Sequence, residues 1–192
     1  MRRANQQGMV LIAVLVVLVV TLLAGMGVMR SVQTGNAMAG NFAFRQTGLA
    51  ASDRALTDAM SEVATRVVGG GGNTSEAHRY LATIDTTVDA MGVPTAIDWA
   101  QVRCVDEKGA LVTNCAQDDG NYRVQYVIER RCAGTPDLAN ILDIRTRCEY
   151  EPQATAGAPN TIALRYRVLI RVRGPRGTES WFEAMISGPA IT

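Results

Sequence analysis

Acidic charge is missing from the first quarter of the chain: no Asp or Glu occurs before Asp53. Histidine and lysine are each represented once, by His78 and Lys108, and aromatic residues make up only 5%. The lone histidine lies in a polar connector with no nucleophile elbow or second ligand beside it. That leaves a Ser-His-Asp or His-metal constellation without a basis, and His78 reads as a surface residue. None of the four cysteines forms a C-x-x-C pair, which argues against a four-thiolate zinc site. The glycine run Gly69 to Gly72 carries no lysine and no phosphate-loop pattern, so it reads as a hinge. A net charge of +1 over 192 residues argues against a general nucleic-acid coat and against an acidic disordered tail. The nearly exclusive use of arginine for positive charge reads as a coding bias rather than a site.

What the chain does have is a long apolar run. Met9 to Met29 amounts to about 21 residues, which as a helix is roughly 30 Å long and spans a bilayer core. Thr21 is its only polar side chain, and a helical hydroxyl can bond back to a carbonyl one turn earlier. Gly25 and Gly27 each lower helix stability by on the order of 1 kcal/mol relative to alanine, and they permit close helix approach or local melting. A cleaved signal peptide is the rival explanation, with Ala24 to Gly27 as its small-residue site. The helical pattern that continues beyond Arg30 argues against it. Arg2 and Arg3 before the run nearly balance Arg30 and Arg45 after it, so charge alone orients the span weakly.

Apolar residues Met38, Phe42, Leu49, Leu56, Met60, Val63 and Val67 then recur at helical spacing and are expected to form one buried stripe. Arg45, Asp53, Arg54, Asp58, Glu62 and Arg66 fill the other faces. Gly35, Asn36, Gly40 and Asn41 are weak points, and Gly69 to Gly72 end the helix. A connector follows from Asn73 to Asp98, with a short helix expected around Ser75 to Thr83. Strand patterns dominate from there. Trp99 to Val105 and Leu111 to Cys115 flank a turn at Glu107 to Ala110. Tyr122 to Glu129 alternates. Ile162 to Arg173 alternates most clearly, with apolar residues on one face and mainly arginines on the other. Gly174 to Gly177 turns that strand back into Trp181 to Ser187. A sheet with an apolar face needs a cover, and the helix stripe supplies one.

Cys104, Cys115, Cys132 and Cys148 allow three disulfide pairings. Folding a hairpin about Lys108 to Leu111 places Cys104 almost opposite Cys115. Cys132 and Cys148 are then left to close a loop of about 15 residues, for which loop entropy suggests about 3 kcal/mol. Disulfides in turn suggest an oxidising compartment for this half of the chain and a cytoplasmic amino terminus. Asp118, Asp119, Gly120 and Asn121 read as a tight turn in preference to a Ca²⁺ loop, since no bidentate glutamate follows. Arg165, Arg167, Arg171 and Arg173, with Arg123 adjacent, form a basic ridge. Pairing with Glu129, Glu179 or Glu183 is favoured over DNA binding, because aromatic interleaving is poor.

The organisation resembles a type IV pilin precursor. Met1 to Gly8 is short, basic and ends in glycine, and an apolar helix beginning Met9-Val10-Leu11-Ile12 follows at once. The segment Met38-Ala39-Gly40-Asn41-Phe42, then Arg45, Ala50-Ala51 and Ala55-Leu56, is similar to PilX-type minor pilins; the match covers roughly the first 60 residues. The resemblance implies an α+β pilin-like fold, with a long amino-terminal helix packed on an antiparallel β-sheet. Its parts would be a leader at 1–8, a membrane and pilus-core helix half at 9–29, an amphipathic half at 30–68 and a β-rich globular domain at 69–192. Prepilin peptidase would cut between Gly8 and Met9 and methylate the Met9 amine. The subunit would wait in the inner membrane, with its globular domain periplasmic, and then enter an extracellular pilus through the inner-membrane assembly platform. Other minor pilins, the major pilin and a large tip adhesin would be its partners, with no cofactor, catalysis or nucleic acid. Most pilins carry glutamate at the fifth mature position, where this chain has Ala13. That carboxylate is thought to pair with the terminal amine of the subunit ahead. A subunit lacking it fits best at the leading end of a filament, as GspK-like pseudopilins of type II secretion are thought to do. The alternatives are such a pseudopilin, or a single-pass periplasmic binding or sensor protein.

Overall fold

The computed structural model describes residues 7–116, 120–152 and 162–189. They fall in two compact units, Met1–Gln46 and Thr47–Thr192. Helix α1, Gln7–Val68, is 62 residues long and runs unbroken through Gly35, Asn36, Gly40 and Asn41. The described part of the first unit is helix throughout, with its apolar side chains exposed from Met9 to Phe42 and Phe44 half-buried. The second unit takes in α1 from Thr47 onward, so the globular body begins inside the helix rather than at the glycine run.

Within that body α1 buries Ala51, Ala55, Ala59, Val63 and Val67, one residue every four. Val63 and Val67 of the expected stripe lie in this ridge, and the rest of the stripe does not. Leu56 is partly buried, but Met38, Phe42, Leu49 and Met60 are all more than half exposed. The reason is steric. Small residues every fourth position make a shallow ridge that lets the helix axis sit close to the sheet, and the larger side chains have no room there. The sheet answers with Gly188, where an added Cβ would stand 2.9 Å from Val63 Cγ1 and 3.0 Å from the Tyr166 ring. Helix α1 ends where Gly69 donates to Thr65 O and Gly70 turns left-handed at φ 74°, a conformation that glycine adopts without steric cost.

Among the described residues the sheet has seven strands. They are β1 Tyr80–Leu81, β2 Cys104–Asp106, β3 Leu111–Val112, β4 Arg123–Arg130, β5 Tyr150–Pro152, β6 Ile162–Arg173 and β7 Glu179–Pro189. Their order is β3-β2-β4-β6-β5, with β7 along the other side of β6. All pairs are antiparallel except β1, which runs parallel to β4. Strand β6 occupies the residues its alternation marked. Ile162, Leu164, Tyr166, Val168, Ile170 and Val172 pack toward α1, together with Val124, Ile128 and Ile186.

Two local expectations are corrected. Ser75 to Thr83 is not helical: Glu76 bridges Tyr80, and the chain continues as β1 because Tyr80 fills the core and donates from its hydroxyl to Gly72 O. Trp99 precedes β2 in a turn, and the flanking strands of the first hairpin are short. The Asp106 carboxylate caps that hairpin by accepting from the Lys108 and Ala110 amides. A second helix, α2 Ile141–Arg147, lies between the second pair of cysteines. The Asn140 side chain caps it by accepting from the Leu142 and Asp143 amides.

Replacing Gly188 by alanine forces a Cβ against two rigid neighbours and should lower the unfolding free energy by about 1–3 kcal/mol. Urea unfolding of the detergent-solubilised chain, followed by tryptophan fluorescence, measures this. Gly25→Ala has nothing within 4 Å of the new carbon and should leave the same transition in place.

Candidate functional site

In the first unit the residues from Met9 onward form a helical surface of exposed Val, Leu, Ile and Met side chains. The helix is long and apolar enough to cross a membrane. Thr21 donates its hydroxyl to Leu18 O at 2.9 Å, so its one polar side chain is satisfied internally. Gly8 and Met9 both fall inside α1. Ala13 lies on the same uncharged surface, exposed, with no ionisable neighbour in the span. At Gly25 and Gly27 an added Cβ would meet nothing within 4 Å, so packing within this chain does not require glycine at either position. Most of the leader, Arg2 and Arg3 included, lies outside the described residues, as do Asp118 and Asp119 of the acidic turn.

In the globular unit a polar network lies on the sheet face turned away from α1. This face is covered by the irregular segment from residue 84 to residue 103. A second small core of Val93, Ile97, Val102, Val127 and Leu169 lies beneath it, edged by Trp99 and Trp181. Three polar side chains of the sheet pin the segment through its backbone. Gln125 donates its amide to Trp99 O at 2.7 Å and to Val102 O at 2.9 Å. Glu129, fully buried, accepts from the Asp85 amide at 2.8 Å. Arg167 donates to Gly92 O at 2.6 Å and to Glu183 at 3.0 Å, and lies 3.5 Å from Glu129.

The expected basic ridge is therefore an ion-pair ladder. Arg165 meets Glu151 at 2.7 Å, and Arg171 and Arg173 share Glu179 at 2.6 and 3.1 Å. Burial pushes the Glu179 carboxyl up, but the Arg171 and Arg173 hydrogen bonds outweigh it and hold the group below its ordinary value. Hydrogen bonds from Ser187 and Arg165 hold Glu151 down in the same way. Sequence reading missed Gln125 and Glu129 as loop anchors. The signal was present, since both alternate with apolar residues in β4 and so face one side of the sheet.

A second polar cluster flanks the end of α1. Glu62 receives Arg79 at 2.7 Å, Arg66 at 3.1 Å and the Tyr126 hydroxyl at 3.3 Å; Glu76 joins through Arg66. Burial and the nearby Glu62 carboxylate push Tyr126 up to about 12, so it remains a neutral donor. An open groove of about 530 Å³ runs past Asp58, Glu62, Arg66, Arg79, Arg103 and Tyr126. Deeper in, Arg130 is wholly buried without an acidic partner among the described residues. It donates to Ala82 O and Asn73 Oδ1, while its Nη1 has no hydrogen-bond partner among the described residues.

Cys104 is joined to Cys115, with Cα atoms 5.6 Å apart, and Cys132 to Cys148. Cys104 pairs in the ladder with Val112 rather than Cys115, so the turn after β3 brings the second sulfur back to the first. The Cys132–Cys148 bridge closes the segment carrying α2. His78 accepts the Asp98 amide on Nδ1 at 3.2 Å. Among the described residues, no group of three or more His, Cys, Asp and Glu side chains is placed to hold a metal ion. No family model, curated protein or solved structure matches the chain.

Two outcomes follow from these networks. Glu129→Ala strips the buried carboxylate from Arg167 and the Asp85 amide. It should cost about 3–5 kcal/mol and expose residues 84–103 to limited proteolysis, read by mass spectrometry of the fragments. Glu151 and Glu179 have folded values below the ordinary 4.5. Their contribution is complete above that value and is lost as pH falls through the folded values, so the thermal midpoint should drop on acidification below 4.5 and stay level from there to neutrality.

Proposed function

We propose that this chain is a non-enzymatic minor pilin of a type IV pilus that primes or caps assembly at the tip. The observation that carries the reading is the amino-terminal arrangement. A short basic leader ending in Gly8 runs straight into an uncharged helix, and that helix continues without a break into an α+β body. A membrane anchor alone does not need the second feature. A helix that must exchange lipid for a bundle of sister helices does, because the body has to move with it. The exposed apolar surface of α1 needs a cover in both settings, and α1 bonds its own backbone in both.

On this reading prepilin peptidase cuts between Gly8 and Met9 and methylates Met9. The subunit rests in the inner membrane with its body periplasmic, where Cys104–Cys115 and Cys132–Cys148 form before export. Ala13 leaves the subunit unable to neutralise a predecessor's terminal amine, while its own amine can still meet the carboxylate of the next subunit. A buried unpaired ammonium is costly, so the leading position, with other minor pilins and a large tip adhesin, suits it. Gly25 and Gly27, which this chain's own packing leaves free, suit close approach or local melting in the bundle. Ala13 equally favours a GspK-like pseudopilin at the tip of a type II secretion filament.

Amino-terminal mass spectrometry in cells with and without prepilin peptidase tests the reading. The expected product begins at N-methylated Met9 and appears only with the enzyme; retention of Met1 to Gly8 in its presence would overturn the proposal and favour a fixed single-pass protein.

A further inference from the structure

Charged side chains of both signs gather at the open groove beside the end of α1. Most of them neutralise one another, since Glu62 and Glu76 receive Arg66 and Arg79. Two do not. Asp58, on α1, and Arg103, just before β2, line the groove without a hydrogen bond or ion pair among the described residues, either to each other or elsewhere. Both stand close enough to act on the Tyr126 hydroxyl: the Asp58 carboxylate disfavours its ionisation and the Arg103 guanidinium favours it. Tyr126 itself is partly buried against the main core. The groove is therefore dipolar, with one open anion and one open cation near a single aromatic ring.

We propose that this groove binds a small zwitterion in which an ammonium and a carboxylate are joined by a short apolar spacer. The ammonium meets Asp58, the carboxylate accepts from the Arg103 guanidinium, whose planar fork suits it, and the spacer lies against the Tyr126 ring. An ion of a single sign gains from one of these groups and is opposed by the other, and the paired charges beside them offer it no net attraction. The volume of about 530 Å³ falls within the roughly 300–1,000 Å³ of small-molecule sites.

The walls are held in place before any ligand arrives. One turn before Asp58, Arg54 donates to Glu107 O at 2.6 Å and ties α1 to the first hairpin. One turn after it, Glu62 is held by Arg79 at 2.7 Å and by the Tyr126 hydroxyl at 3.3 Å. A site that keeps its shape when empty loses less conformational freedom on binding. Asp58 and Arg103 are both exposed, so water screens each contact and the expected affinity is millimolar. All of these residues belong to the globular body, and the assignment is independent of the filament reading.

The test is saturation-transfer NMR on the full chain in a non-ionic detergent, with the ω-amino acids from glycine to ω-aminohexanoate as probes. Hexanoate and hexylammonium, each carrying one of the two charges, are the controls. The expected result is saturable binding of at least one ω-amino acid, stronger than that of either control and weakened by added salt. Asp58→Asn and Arg103→Gln should each weaken it about tenfold, the loss of one charge-assisted contact, while Asp53→Asn, outside the groove, leaves it unchanged. Neither Asp58 nor Arg103 has a partner to lose, so the thermal midpoints of these variants should match that of the parent chain. The comparison with hexanoate and hexylammonium uses the unsubstituted chain and does not depend on how the variants fold. No binding by any probe into the millimolar range, equal binding of either control, or undiminished binding in folded Asp58→Asn or Arg103→Gln would overturn the assignment.

Discussion

The contact between the alanine ridge of α1 and the sheet carries the globular body. Ala51, Ala55, Ala59, Val63 and Val67 present a shallow surface, and Gly188 lies so close to Val63 and the Tyr166 ring that a methyl group added at Gly188 would not fit. Dispersion energy depends steeply on separation, so a helix this close contributes more per residue than its small side chains suggest. The arrangement also fixes the register of the helix on the sheet, since only one four-residue row is shallow enough. Glu62 and Arg66 are thereby set beside Tyr126 and Arg79 at the end of the helix, where their ion pairs form.

The second constraint acts on the other face. A sheet of which only one face is covered normally leaves the other to water. Here the far side holds both apolar residues, Val127 and Leu169, and charged ones, and the segment from 84 to 103 covers it without forming helix or strand of any length. Its peptide groups are satisfied by Gln125, Glu129 and Arg167 instead of by a ladder. Burying Glu129 is tolerable because the Asp85 amide, Arg131 and Arg167 converge on it. The two disulfides add covalent ties near this half of the body, one beside the short first hairpin and one around α2.

The first unit follows a different logic. Its helix completes its own hydrogen bonds, satisfies Thr21 internally and leaves the large apolar side chains from Met9 to Phe42 exposed. Such a surface is stable only where something other than water meets it. The proposed exchange between lipid and a helix bundle draws on this property.

Much of this was legible in the residues themselves. The unbroken apolar run, the end of the helix at consecutive glycines, the alternation of β6 and the turn at Gly174 to Gly177 are local patterns, and local backbone preference and side-chain period suffice to specify them. Which helical row would be buried was not legible. Hydrophobicity favoured Phe42, Leu49 and Met60, but the choice depended on the room left by Gly188 and Tyr166, more than a hundred residues away. For the arginines of β6, pairing with Glu129, Glu179 and Glu183 was legible from the alternation of the strands, whereas the pairing of Arg165 with Glu151 depended on where β5 comes to lie. The edges of the sheet were not legible either, because whether a strand is internal or terminal is a property of the neighbours it finds. Periodicity is written along the chain, whereas separation and partnership between distant segments exist only once the chain has folded.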